Sequence, residues 1–202
     1  MDGSVNFSGY HGTFFDNCDS IMNEGFIIPK PKELDDHWLG HGIYFYDSYD
    51  LAYWWAEKKS ISFRKKRNEK HTPIVIYCNL SVPQNKVLNL DVNKQLGIFA
   101  EYCNAKTEEL KLTAYQFHVQ KEGDVPSADQ IRCFFLDLYK TENDIGIIIY
   151  TFHKPMPSYA KSLFKFGGYI NLGLEYKETQ YCVTSNDFIK DKYLYHSREE
   201  YI

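Results

Sequence analysis

Read for the spacing of hydrophobic and polar positions, the chain has short strands near both ends and helical stretches between them. Residues 5–13 read as a strand that ends on His11-Gly12-Thr13. Asp16 or Asn17 can cap a short helix over residues 18–24, and Gly25 can close it. Phe26, Ile27 and Ile28 form a brief apolar segment, followed by a polar, proline-containing loop over 29–36. Residues 42–46 are β-branched and aromatic after the glycine and predict a second strand. Asp47, Ser48 or Asp50 can cap a helix over 49–59, and residues 60–71 read as a polar, basic loop or helix tail. Residues 73–80 carry a strong buried-strand signal, and 87–90 follow as a short strand after a turn at Pro83.

Helical spacing marks residues 92–120, through Leu96, Phe99, Ala100 and Cys103 and again through Leu110, Leu112, Tyr115 and Phe117. Gly123 and Pro126 break it, and an amphipathic helix follows over 128–140. Residues 145–151 predict a strand, Pro155 and Pro157 a turn, Phe166-Gly167-Gly168 another turn, and 178–183 a last strong strand. No repeat, low-complexity tract or linker interrupts this order, which fits one domain over residues 1–202 of the α+β class.

Composition narrows the picture. At 202 residues, 44% of them hydrophobic, the chain can bury a real core. Aromatic residues make up 17%, including 17 Tyr and 14 Phe, and such side chains suit a pocket that stacks a planar ring as well as a core. A net charge of −4 leaves no global basic field for non-specific nucleic-acid binding. The local exception is Arg64-Lys65-Lys66-Arg67, either a solvated face or a contact for phosphate. Five scattered cysteines without a C-x-x-C pair argue against both a zinc site and a disulfide scaffold, and for a reducing, cytoplasmic setting. His37, His41 and His71 lack metal-ligand spacing, so no metal is expected. The first residues lack the basic and apolar regions of a signal peptide, and no apolar run is long enough for a membrane span.

Two motifs carry candidate chemistry: Tyr10-His11-Gly12-Thr13, and Gly40-His41-Gly42-Ile43-Tyr44-Phe45 leading into Asp50-Leu51-Ala52-Tyr53-Trp54-Trp55-Ala56. A glycine after His11 lets the backbone come close to a ligand. The block resembles the NAD-binding half of ADP-ribosyltransferases of the diphtheria-toxin and poly(ADP-ribose)-polymerase type. The resemblance covers most of the chain in layout, and its motifs cover about residues 9–56 and 172–189. It implies a split β-sheet core with flanking helices, with NAD as substrate and no metal.

By that resemblance His11 would bond a ribose hydroxyl, Gly12 would offer backbone groups to the nicotinamide amide, and Thr13 would support the turn. Gly42 would approach the cofactor, and Tyr44 would stack on nicotinamide. Trp54 is the first choice for the opposite face of the ring, with Trp55 next. Leu51 stands where the family often has a serine, a contact that is lost or taken by Ser48. In the third motif Gln180-Tyr181-Cys182-Val183 places Gln180 where a glutamate is usual. Glu178, two residues earlier, shares its face of the strand. The catalytic set is then His11, Tyr44, Glu178 and Gln180, with Glu175 a weaker carboxylate. Single transfer rather than chain elongation is expected.

The activity so implied is mono-ADP-ribosyl transfer from NAD to a macromolecular acceptor, nucleic acid or protein, with the basic run favouring nucleic acid. Small intracellular bacterial members of this kind often act as toxins of toxin–antitoxin or phage-defence systems, which brings in a neutralising antitoxin as a partner. The alternative is a catalytically impaired module that binds NAD or ADP-ribose, favoured by Gln180 and Leu51.

Overall fold

The computed structural model describes residues 3–31, 36–109, 126–153 and 177–195. In chain order these form β1 (Ser4–Phe14), α1 (Cys18–Glu24), β2 (Ile43–Tyr46), α2 (Tyr49–Arg67), β3 (Pro73–Pro83), β4 (Val87–Asn89), α3 (Asn93–Glu109), α4 (Ala128–Glu142), β5 (Ile147–His153), β6 (Lys177–Val183) and β7 (Ile189–Tyr195). The seven strands make one sheet in the order β4-β5-β6-β2-β1-β3-β7. Among the described residues every named strand pair is antiparallel except β4–β5, so the architecture is mixed α and β, in keeping with the α+β expectation.

Period-two burial builds the sheet. Along β3, Ile76, Cys78, Leu80 and Val82 all point into one core. That core continues through Ile43 and Phe45 of β2, Ile147 and Ile149 of β5 and Val183 of β6, and is closed by Ile21 and Phe26. Each such side chain contributes about 1.5–3 kcal/mol by leaving water. The opposite face carries two separate clusters. Leu51 and Ala52 of α2 pack with Tyr46 and Val75. Phe99 of α3 and Phe135 and Leu136 of α4 pack with Leu39, Leu88, Ile148 and Cys182.

Local chemistry sets the helix ends. α1 stops at Gly25, whose φ of +96° favours glycine and whose N–H donates to Ile21 O. Asn17 stands at the start of α1 but does not cap it through its side chain; its amide donates to Thr13 Oγ1 instead, and Asp16 pairs with His71. Ser48 caps α2 by accepting from Leu51 N, and Ser127 and Gln130 form a reciprocal capping box on α4.

Of the two readings of residues 60–71, the helix tail holds: α2 runs on to Arg67, so the basic run is its last turn, where cations oppose the negative end of the helix dipole. Asn68 then ends the helix in the left-handed conformation. Two other expectations are corrected. The 178–183 strand is not the last one. β7 follows as an edge strand on β3, and its Lys190, Asp191 and Lys192 hide it from a hydrophobic reading. β3 also extends past residue 80 to Pro83. The predicted features at residues 32–35, 110–123 and 155–168, and Glu175, lie outside the described residues. Among the described residues no helix is long and apolar enough to cross a membrane.

Candidate functional site

The site begins where the sheet comes apart. β1 pairs with β3 along its whole length, yet with β2 only at Tyr10 opposite Tyr46. The next residue, His11, bridges the gap with its side chain: Nδ1–H donates to the Tyr44 carbonyl oxygen at 2.8 Å. The carbonyl can only accept, so Nδ1 carries the proton and Nε2 is left as an acceptor in the neutral ring. The imidazole packs edge-on against Phe26 and Phe45. Burial pulls its pKa down to about 4; the Lys59 charge pulls the same way, and the bond to Tyr44 only partly opposes them.

Tyr44 is held at its hydroxyl, which accepts from Leu39 N at 2.7 Å and donates to Gly40 O at 2.8 Å. Burial, first, and the Cys182 thiol raise its pKa further above the usual range. The ring of His37 lies stacked against it, 6.2 Å between centroids. The glycines of this motif serve packing. A Cβ on Gly42 would stand 2.5 Å from Cys182 Sγ, and one on Gly40 would stand 2.5 Å from Asp137 Oδ1 on a backbone with φ of +76°.

On β6, Gln180 lies opposite Tyr46 on one side and Tyr150 on the other. Glu178 and Gln180 are both buried, and Gln180 Nε2 donates to Glu178 Oε1. The Tyr46 hydroxyl is pushed well above its ordinary pKa by burial and then by the Glu178 charge.

These strands enclose an open cleft of about 590 Å³, with His11, Thr13, Tyr44, Tyr46, Trp55 and Gln180 among its walls. That size falls within the range of small-molecule sites. Gly42 also lines it, whereas Glu178, bonded to Gln180 from two residues earlier on the strand, is not among its lining residues. A smaller pocket of about 380 Å³ adjoins it between β1 and α2, sharing His11, Thr13, Asn17 and Lys59.

Two site assignments change place. Trp54 is not on the cleft: it lies under the Lys58 ammonium, 5.5 Å from its ring centroid. Trp55 lines the cleft instead, nearly parallel to Tyr46, and its buried Nε1 has no hydrogen-bond partner among the described residues. Neighbouring helical residues point about 100° apart, so the pair could not both face in. Gly12 borders the smaller pocket, and its missing Cβ serves helix packing, because a Cβ there would stand 1.9 Å from Ala52 O of α2. Lys59, His37 and Trp38 also line the main cleft and had no motif to mark them.

Behind the cleft wall, His41 N donates to Asp137 Oδ1 at 2.7 Å and His41 Nδ1 lies 2.5 Å from Asp137 Oδ2. Lys140 donates to His41 O and pairs with Asp137. Burial alone would raise the Asp137 pKa, but Lys140 and His41 outweigh it and hold it low. Cys133 completes the group, with Sγ 3.7 Å from Asp137 Oδ2. The sequence held no ligand spacing here because His41 lies 92 and 96 residues before its partners.

The chain matches no family model. It matches no solved structure. It is 41% identical over 61 residues to an uncharacterized protein of Methanocaldococcus jannaschii, a stretch covering 29% of this chain and 28% of that protein. The similarity is thus confined to less than a third of either chain.

Proposed function

We propose that the chain is a mono-ADP-ribosyltransferase that transfers ADP-ribose from NAD to a macromolecular acceptor, nucleic acid or protein, and acts as an intracellular toxin or phage-defence effector. One observation carries this reading. His11, Tyr44 and Gln180, from three strands distant in sequence, line a single cleft at the point where the sheet splits. A split sheet with these residues at the seam is what the resemblance to ADP-ribosyltransferases implies.

The chemistry asked of the site is cleavage of the nicotinamide–ribose bond. Nicotinamide leaves with the bonding electron pair, a cationic ribosyl centre develops at C1′, and an acceptor nucleophile closes on it. His11 offers Nε2 as an acceptor for a ribose hydroxyl and stays neutral near pH 7. Tyr44, held at its hydroxyl, offers a fixed ring face, and Trp55 offers a second aromatic surface. The buried Trp55 Nε1–H is a donor that a bound acceptor would satisfy, relieving a cost of about 1–3 kcal/mol. Gln180 orients a ribose hydroxyl, and the Glu178 carboxylate bonded to it offsets the developing positive charge through the shared hydrogen bond.

A second reading, an NAD- or ADP-ribose-binding module with impaired turnover, is favoured by the same pair: the group on the wall is a neutral amide and the carboxylate is set back.

Incubation of the purified chain with labelled NAD and a cell lysate decides between them. Label on macromolecules that nuclease removes means a nucleic-acid acceptor, and label that protease removes means a protein acceptor. Bound NAD without released nicotinamide means the binding module. Glu178→Ala is expected to lower kcat more than it raises KM. Turnover untouched by Glu178→Ala and abolished by Gln180→Ala would remove the carboxylate from the reaction.

A further inference from the structure

The His41, Cys133 and Asp137 cluster stands apart from the cleft and is not used by the chemistry above. Its three donor atoms lie within 4.8 Å of one another, on two buried residues and one half-buried residue. Cys133 and Asp137 are one helical turn apart on α4, so their side chains share a face. The residue 38–42 segment brings His41 over that face, and two glycines let it approach: Gly40 against Asp137 and Gly42 against Cys182.

We propose that His41 Nδ1, Cys133 Sγ and Asp137 Oδ2 form a binding site for one divalent transition-metal ion of the zinc class. Donors around a tetrahedral zinc stand about 3.3–3.8 Å apart, as follows from its bond lengths. Sγ already lies 3.9 Å from Nδ1 and 3.7 Å from Oδ2. Only the 2.5 Å separation of Nδ1 and Oδ2 must open. For an ion to enter between these two atoms the Nδ1 proton is exchanged for one on Nε2, so the imidazole binds as a neutral ligand, and the Cys133 thiol releases its proton to water as the thiolate binds. One thiolate and one carboxylate then face the two positive charges of the ion, and with Lys140 beside Asp137 the group keeps one net positive charge, which favours an anionic fourth ligand. A mixed sulfur, nitrogen and oxygen set suits zinc over calcium or magnesium, which take oxygen ligands.

The surroundings supply outer support. Lys140 and His41 N both bond Asp137 Oδ1, which fixes the carboxylate and leaves Oδ2 facing the other two donors. The fourth position falls to water or to a ligand from outside. Bound there, the ion ties the 38–42 segment to α4, and that segment holds the Tyr44 hydroxyl through Leu39 N and Gly40 O.

The test uses the full chain, stripped with a chelator and titrated with Co²⁺ and then Zn²⁺. One equivalent of Co²⁺ is expected, with a near-ultraviolet thiolate-to-cobalt charge-transfer band that Zn²⁺ abolishes by displacement. Cys133→Ser should remove the band, while Cys103→Ser, on α3, should keep it. Asp137→Asn should weaken Co²⁺ binding by at least the roughly tenfold that even outer-sphere partners cost. Zn²⁺ should also protect Cys133 of the unaltered chain from alkylation, read by mass spectrometry, which keeps the proposal testable if Cys133→Ser does not fold. Absence of stoichiometric Co²⁺, a charge-transfer band that survives in folded Cys133→Ser, or alkylation of Cys133 at the same rate with and without Zn²⁺ would overturn the site.

Discussion

The two faces of the sheet are built differently. One face bears a core that crosses the seam between β1 and β2 without a break, joining Ile76 and Cys78 of β3 to Phe45 of β2 and Ile149 of β5. The other face bears two cores, one under α2 and one under α3 and α4. Strand pairing follows the divided face. β1 and β3 form a full ladder, and so do β2, β5 and β6, but β1 meets β2 at a single position. Continuous packing on one side therefore holds together two halves whose backbones have parted, and the parting leaves room for a cleft. Polar side chains such as His11 and Gln180 can stand in that gap, where a closed ladder would leave no space. A rigid scaffold with a local fault is a common way to combine stability with a binding site.

The comparison can be broken first at the continuous core. Phe45→Ala removes a fully buried ring that spans the seam and should cost about 3–5 kcal/mol in chemical denaturation. Both halves should then unfold in one transition. Separate transitions by tryptophan fluorescence and far-ultraviolet circular dichroism would mean that the shared core does not couple them.

Next in size is the divided face. Gly12→Ala forces a Cβ into the Ala52 carbonyl, so α2 must lift, and a loss of about 3 kcal/mol is expected from the same measurement. An unchanged midpoint would mean that α2 is not seated on β1 as described.

The seam itself is tested by pH. The His11 pKa falls from an ordinary 6.5 to about 4 in the fold, so the folded state disfavours its protonated form. Its stabilising contribution is present above pH 6.5 and is lost as pH falls from there through 4, worth about 2 kcal/mol after discounting for the partly exposed ring. His11→Gln should flatten that slope relative to the unaltered chain. Parallel stability–pH curves for the two would remove His11 from the acid response.

The smallest effects sharpen the assignment of the tryptophans. Trp55→Leu should alter ligand binding at the cleft by about tenfold, and Trp54→Leu should leave it unchanged, by calorimetric titration with NAD. Lys58→Ala, which removes the cation over Trp54, should change stability by about 0.5 kcal/mol. Equal effects of the two tryptophan substitutions on binding would undo the distinction.

Much of this molecule was legible along the chain because its signals are local. Apolar strand signals marked β1, β2, β3 and β6, Ser48 supplied the cap of α2, and Gly25 marked the end of α1. His11, Tyr44, Glu178 and Gln180 were marked by the resemblance to ADP-ribosyltransferases, and they lie on β1, β2 and β6. What tertiary structure alone decided depends on groups distant in sequence. The edge strand β7 owes its place to β3, not to its own charged sequence. Trp55 rather than Trp54 faces the cleft because α2 presses Ala52 against Gly12, which sets the rotation of the helix. Gly12 and Gly42 read as room for a ligand; both border a pocket, and their missing Cβ atoms also make room for a helix carbonyl and a cysteine. His41 joins Cys133 and Asp137 only after α4 is laid on the sheet. Hydrophobic period and capping are properties of neighbouring residues, whereas helix rotation and donor clusters are settled by close packing between elements, where a single Cβ is enough to exclude one arrangement and admit another.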